Sequence, residues 1–174
     1  NARLGVVNRG IAGNNLLSNL QPGSLGGRSA LERFDRDVAA AAGARFLLVL
    51  SGTNDILNST SSSPVSADDL IGGYRTLIAR AHALGIVAFA GTLPPFEGAS
   101  YYTPQKDLVR QAANNWLRSS GEFDAVVDFD RILRDPGNPR RLYPSYDSGD
   151  HLHPNNAGYQ VMGNAVPLAL FNTP

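Results

Sequence analysis

Short aliphatic runs alternate along this chain with longer stretches in which apolar residues recur every three or four positions. The short runs predict four β-strands, at residues 4–8, 45–50, 86–90 and 125–128. Alternation of strands with longer helices is typical of βαβ units, which build a parallel sheet. The sequence therefore predicts an α/β fold of three layers, with helices on both faces of one parallel sheet.

The longer stretches predict the helices of this fold. The clearest helix start is at Ser66, where Asp69 follows three residues later in a capping-box pattern, with an acidic residue in place of the usual Glu or Gln. Helices are predicted at residues 29–42, 66–84, 103–118 and from about 156 to Pro167.

Length and composition indicate one domain that spans residues 1–174 and has a sizeable core. Fifteen basic residues balance fifteen acidic ones, so no strong field would hold the chain on nucleic acid or on an anionic membrane. The absence of cysteine excludes disulfides and a thiolate nucleophile. We therefore expect a small or uncharged ligand, and neither nucleic acid nor a membrane as partner.

Three polar segments are expected at the carboxyl ends of the strands, where ligands bind in such sheets. They are residues 8–14 (NRGIAGN), 51–55 (SGTND) and 150–155 (DHLHPN). In this order they resemble blocks II, III and V of the SGNH (GDSL-type) hydrolase family, and the resemblance covers nearly the whole chain. It implies a flavodoxin-like α/β/α fold and an esterase that works through a serine acyl-enzyme without a cofactor or metal.

The resemblance implies that the Gly13 N–H and the Asn54 side chain form the oxyanion hole. A glycine lets the backbone approach the substrate closely, and an amide donates a hydrogen bond without having to keep a charge. The alternative for Gly13 is an ordinary tight turn, and the alternative for Asn54 is a turn that ends the strand. We expect Asp55 to play that local turn role.

By the same resemblance, His153 is the general base and Asp150 orients its imidazole. Three residues separate them, so one tight loop can bring them together. The alternative is a turn capped by Asp150 with His153 as a surface residue. His151 has no role in the family pattern, and His82 is expected to be an ordinary residue of a helix.

The family's block I, a Gly-Asp-Ser on the first strand, is absent from this sequence. Ser51, Ser145 and Ser148 match no block, although Ser148 lies near Asp150 and His153. We therefore expect the serine to come from an upstream segment that is not in this sequence, so that the first strand and helix of the fold are lacking. That complementary N-terminal segment is the expected protein partner, and this chain alone is expected to be inactive.

In the family, the block I strand lies between the strands of blocks II and III. A central strand with about four buried aliphatic side chains contributes roughly 6 to 12 kcal/mol of transfer free energy, comparable with the total stability of a domain, about 5 to 15 kcal/mol. We expect the strands at residues 4–8 and 45–50 to lie about twice the usual 4.8 Å apart.

Several stretches are similar to secreted bacterial members of the family, some of them linked to deacetylation of plant polysaccharides. They imply an extracellular protein and a small-molecule or carbohydrate ester as substrate. Aromatic residues in the loops at 94–102 and 136–146 either wall the substrate pocket or pack these loops onto the domain: Phe96, Tyr101, Tyr102, Tyr143 and Tyr146.

Two other classes of function remain open. A metal-dependent hydrolase could use Asp150, His151 and His153 as ligands, with Asp55 across the cleft. A catalytically inactive, carbohydrate-binding descendant of the family would bind the same substrate without turnover. A chelator would identify the first class, and ligand binding without hydrolysis would identify the second.

Overall fold

A computed structural model describes residues 4–172 of the chain. Its main sheet has three parallel strands, β1 (Phe46–Val49), β2 (Val87–Gly91) and β3 (Ala125–Val127), in the order β1-β2-β3. Phe46 lies opposite Val87 at the start of the register between β1 and β2. Three of the four predicted strands and the predicted α/β class with a parallel sheet are thus confirmed.

The fourth predicted strand, at residues 4–8, is wrong. This segment forms no strand and is exposed along its whole length, with Val6 92% exposed. A strand forms only where its backbone groups pair with a neighbour, and within residues 4–172 β1 pairs only with β2. Residues 4–8 and β1 are therefore not two strands separated by twice the usual spacing, as we expected. In the described sheet, β1 is an edge strand.

The described part of the chain has five α-helices beside the sheet: α1 (Thr53–Asn58), α2 (Ala67–Ala83), α3 (Pro104–Ser119), α4 (Phe129–Leu133) and α5 (Asn156–Asn164). The predicted helices at α2, α3 and α5 are confirmed, with the capping box of Ser66 and Asp69 at the start of α2. The helix predicted at residues 29–42 is reduced to one π-helical stretch, Asp35–Ala39. α1 and α4 were not predicted, because five or six residues are too short to show helical periodicity.

The segment at residues 136–146, expected to be a loop, contains part of a hairpin. Strands β4 (Arg134–Asp135) and β5 (Asn138–Leu142) pair antiparallel, and a 3₁₀ turn follows at Pro144–Tyr146. Glu97 ties this hairpin to the loop after β2: its N–H donates to the Arg140 carbonyl at 2.8 Å, and its carboxylate accepts from Asn138 at 2.8 Å. The two aromatic loops therefore form one connected surface.

The core lies against α2 and the sheet. Apolar residues spaced three or four apart predict a core face on that helix, and all five of them are buried: Leu70, Tyr74, Leu77, Ile78 and Ala81. Across residues 4–172, no helix is both long enough and apolar enough to cross a membrane.

A buried ion network fixes the start of the loop after β2. Arg110 of α3 is buried and binds both Asp107 and Asp130 at 2.8 Å. Asn114, one turn along the same helix, accepts from the Leu93 N–H at 2.7 Å and donates to the Leu93 carbonyl at 2.9 Å. A buried charge needs such partners to offset its lost hydration. The loop that leaves the carboxyl end of β2 therefore starts from a rigid position.

Candidate active site

The structure places the Asn54 side chain against residue 14, the neighbour of Gly13 in sequence. Residue 52, between β1 and α1, must be glycine, because it has φ of 122° and a Cβ there would lie 2.7 Å from the Tyr74 hydroxyl. Asn54 then falls in the first turn of α1, and its Nδ2 donates to the Asn14 carbonyl at 3.1 Å. An amide NH₂ has two hydrogens, so one remains available to a ligand.

Asp55 has a different role from the local turn that we expected. Its buried carboxylate accepts the backbone N–H groups of Leu16 at 2.7 Å and Leu17 at 2.9 Å. Burial raises the pKa of Asp55 and outweighs the opposing effect of these hydrogen bonds. The residue therefore holds residues 16 and 17 from across the fold, so the local turn prediction is wrong.

Residues 8–17, here called the oxyanion loop, are held by further side chains that sequence reasoning missed. Asn14 Nδ2 donates to the carbonyls of Gly26 and Arg28, both at 2.6 Å. Arg33 donates to Asn14 Oδ1 from Nε at 3.2 Å and from Nη2 at 2.9 Å, and to the Arg9 carbonyl at 2.7 Å. These partners are distant in sequence, and no short motif marks them.

Asp150 and His153 form a hydrogen-bonded pair within residues 147–155, here called the catalytic turn. His153 Nδ1 lies 2.6 Å from Asp150 Oδ2, and the other carboxylate oxygen accepts the N–H groups of Leu152 and His153 at 2.9 and 2.8 Å. Burial alone would raise the pKa of Asp150, but the bonds from His153, Leu152 and Ser148 together lower it. A carboxylate at Nδ1 leaves the Nε2 lone pair free to accept a proton.

A second pair of the same kind lies in the catalytic turn. His151 Nδ1 is 2.6 Å from Asp147 Oδ2, and the His151 N–H donates to Asp147 Oδ1 at 3.0 Å. Burial is the largest single effect on Asp147 and would raise its pKa. The hydrogen bonds from Gly149 and His151 together outweigh it, so the pKa of Asp147 is lowered. The His151 ring packs on Gly98, where a Cβ would lie 3.0 Å from the ring. The family pattern in the sequence gives His151 no role.

The serine hydroxyls do not complete the site. Ser148 Oγ donates to Asp150 at 2.9 Å, and within residues 4–172 no hydrogen bond joins a serine hydroxyl to His153. The described residues contain no group of three or more metal-binding side chains close enough to hold an ion. Each histidine of the turn is bound to its own aspartate, and Asp55 is bound to backbone N–H groups.

The two halves of the site lie at the same edge of the sheet. Asn54 and the oxyanion loop adjoin the carboxyl end of β1. The catalytic turn contacts Gly98, in the loop after the carboxyl end of β2. This is the edge at which parallel α/β folds bind ligands.

The chain matches the profile of the GDSL-like lipase/acylhydrolase family over residues 1–161. A comparison with curated protein sequences finds no match.

Solved structures give the same fold. A GDSL-like lipase from Bacteroides thetaiotaomicron superposes with a TM-score of 0.68 at 23% identity, over 81% of this chain and 68% of that one. An acetyl-xylooligosaccharide esterase from Geobacillus stearothermophilus gives 0.69 at 20% identity, over 97% of this chain and 72% of that one. A catalytic mutant of an acetylxylan esterase from the same organism, in which alanine replaces a serine, gives 0.64 at 21% identity, over 91% and 68%.

Proposed function

The chain belongs to the GDSL-like lipase/acylhydrolase family, and we propose that it hydrolyses carboxylic esters through a serine acyl-enzyme with His153 as the general base. The observation that carries this role is the 2.6 Å contact between His153 Nδ1 and Asp150, which leaves Nε2 free for a serine hydroxyl. His153 is exposed, as a base that must reach a substrate has to be.

Each group has one task in the proposed reaction. His153 takes the serine proton while the serine oxygen attacks the ester carbonyl, and Asp150 stabilises the imidazolium that forms. The Gly13 N–H and the free Asn54 amide hydrogen stabilise the resulting oxyanion. His153 then gives its proton to the leaving alcohol, and water releases the acid by the same steps with the serine as leaving group.

We assign the serine to a segment upstream of residue 1. Two observations within residues 4–172 support this proposal: no serine hydroxyl hydrogen-bonds to His153, and β1 is an edge strand beside the exposed Leu48 and Leu50. A strand added at that edge would end at the carboxyl edge of the sheet, close to Asn54. On this proposal, the chain alone is inactive and the upstream segment is its partner.

Complementation tests the proposal directly. The chain is mixed with a peptide that carries the Gly-Asp-Ser strand of a family member, and hydrolysis of p-nitrophenyl acetate is measured. We expect activity only in the mixture, inhibition by a serine-directed phosphonate, and none with a peptide whose serine is alanine. Hydrolysis by the chain alone, with phosphonate attached to Ser51, Ser145 or Ser148, would refute the upstream serine.

We further propose a carbohydrate ester as substrate and an extracellular location. The likeness to an acetyl-xylooligosaccharide esterase supports the substrate class. Release of acetate from acetylated xylan by the complemented protein, measured beside release from simple aryl acetates, tests it.

A further inference from the structure

Tyr101 and His151 share an unusual backbone conformation. Within residues 4–172 they are the only residues other than glycine at positive φ, at 67° and 62°. This region strains an L-residue, and such strain is concentrated at ligand-binding and catalytic sites. Both side chains are also open to solvent: Tyr101 is 77% exposed and the His151 side chain 52%. Burial in the core therefore does not explain either placement.

The loop that carries Tyr101 contacts His151. The His151 ring packs on Gly98, three residues before Tyr101 in the loop after β2. That loop is held by hydrogen bonds from the Tyr102 N–H to Ala99 at 3.1 Å and from the Glu97 N–H to Arg140 at 2.8 Å. Tyr101 is therefore presented to solvent from a fixed loop.

Hydrogen bonding sets the chemistry that His151 offers. A neutral imidazole that donates from Nδ1 to Asp147 carries its lone pair on Nε2, where it can accept from a hydroxyl. Tyr101 adds an exposed aromatic face and a phenolic hydroxyl. A hydroxyl acceptor and an exposed aromatic face on two contacting segments suit a molecule with both hydroxyls and an apolar ring face, as a pyranose has.

The position of His151 indicates which part of a substrate it would meet. It lies two residues from His153, which on the proposed function gives its proton to the leaving alcohol. On that function, a group on the leaving-group side of the base would meet the alcohol portion of the ester.

We propose that His151 and Tyr101 form a subsite for the alcohol portion of the substrate, and that this portion is a pyranose ring. A sugar hydroxyl donates to His151 Nε2, and the sugar ring stacks on Tyr101. The proposal rests on the proposed esterase function for the orientation of the substrate, while sugar binding at this surface does not require catalysis.

Binding is tested on this chain with xylotetraose, which has no ester to hydrolyse, in an NMR titration that follows the histidine and tyrosine ring signals. We expect the His151 and Tyr101 signals to shift, and His151→Gly and Tyr101→Asn each to raise Kd about tenfold. Glycine and asparagine tolerate positive φ, so these variants remove the side chains without new strain.

The matched controls are His82→Ala and Tyr159→Ala. His82 is an exposed histidine outside the catalytic turn, with its side chain 44% exposed and its Nε2 2.8 Å from Asp124, and Tyr159 is 54% exposed on α5. Both variants should leave Kd unchanged within twofold. The subsite is refuted if xylotetraose does not bind, or if the controls weaken binding as much as the variants do.

Kinetics on the complemented protein separate this inference from the proposed function. His151→Gly and Tyr101→Asn should raise KM for acetylated xylobiose about tenfold and leave kcat/KM for p-nitrophenyl acetate within twofold. An unchanged KM for the sugar ester would overturn the subsite. Retained sugar binding with no hydrolysis of either ester would instead refute the esterase function and leave the subsite standing.

Discussion

The oxyanion loop and the catalytic turn reach their geometry in opposite ways. Asp55 holds Leu16 and Leu17 across 39 and 38 residues of sequence, and Asn54 reaches Asn14 across 40. In the catalytic turn, Asp150 binds His153 three residues away and Asp147 binds His151 four residues away. The turn therefore carries its own geometry, whereas the oxyanion loop depends on the folding of distant segments.

The largest expected effect separates the two histidines of the turn. In the complemented enzyme, His153→Ala should lower kcat about 10⁴-fold or more, because it removes the proposed acceptor of the serine proton. His151→Ala should retain most hydrolysis of p-nitrophenyl acetate. The two variants are compared by steady-state kinetics, and the reverse ranking would show that the wrong pair has been assigned as catalytic.

Removal of the Asn54 amide, beside the oxyanion loop, should lower kcat less than removal of His153 does. Asn54→Ala should lower kcat about 10² to 10³-fold with little change in KM, as expected for one preorganised donor that acts mainly in the transition state. Asn115→Ala, at an exposed position of α3, is the matched control, and its kcat should stay close to that of the unmodified protein. An unchanged kcat for Asn54→Ala would remove this residue from the mechanism.

The free energy of unfolding should depend more on Asp55, which binds distant residues, than on Asp150, which binds residues of its own turn. Asp55→Ala leaves two backbone N–H groups without their buried acceptor, so we expect a loss of about 2 to 4 kcal/mol in the free energy of unfolding. Asp150→Ala should change that free energy by less than about 1 kcal/mol, since its turn is exposed.

Urea unfolding of both variants measures this difference, with the exposed Asp68→Ala as control. Equal losses for Asp55→Ala and Asp150→Ala would contradict the contrast between a distant anchor and a local turn.

The smallest expected effect is a pH dependence of opposite sign in the two regions. Asp150 has a lowered pKa, so its stabilising effect is present above the ordinary carboxyl pKa, about 3.9, and is lost as the pH falls below it. Asp55 has a raised pKa, so its contribution is full below that ordinary value and is lost as the pH rises through the folded pKa.

Urea unfolding between about pH 3 and pH 7 tests these signs against Asp150→Asn and Asp55→Asn. The advantage of the unmodified protein over Asp150→Asn should grow with pH, and its advantage over Asp55→Asn should shrink. Trends of the same sign in both comparisons would contradict the assigned pKa directions.

The predictions that the structure confirms rest on short-range patterns. The capping box at Ser66, the aliphatic runs of β1 to β3 and the core face of α2 each follow from residues within one element. The spacing of Asp150 and His153 likewise predicts their contact, although their catalytic roles stay predictions.

The features that the sequence did not reveal depend on partners distant in sequence or on a backbone conformation that no local pattern predicts. An aliphatic run at residues 4–8 predicts a strand, but a strand also needs a neighbour, which a local pattern does not supply. The burial of Asp55 depends on backbone N–H groups almost forty residues away. Positive φ at His151 has no sequence signal, because glycine or asparagine would be the residues expected there.

The free edge of β1 also affects how the protein behaves at high concentration. Within residues 4–172 this edge of β1 has no strand partner, so its N–H and C=O groups beside the exposed Leu48 and Leu50 form a template for β-pairing with another molecule. Where that edge is uncovered, two copies can add strands to each other, and a net charge of zero provides little repulsion to keep them apart. A strand that covers the edge would therefore also act as a solubility device, which protects the sheet from aggregation.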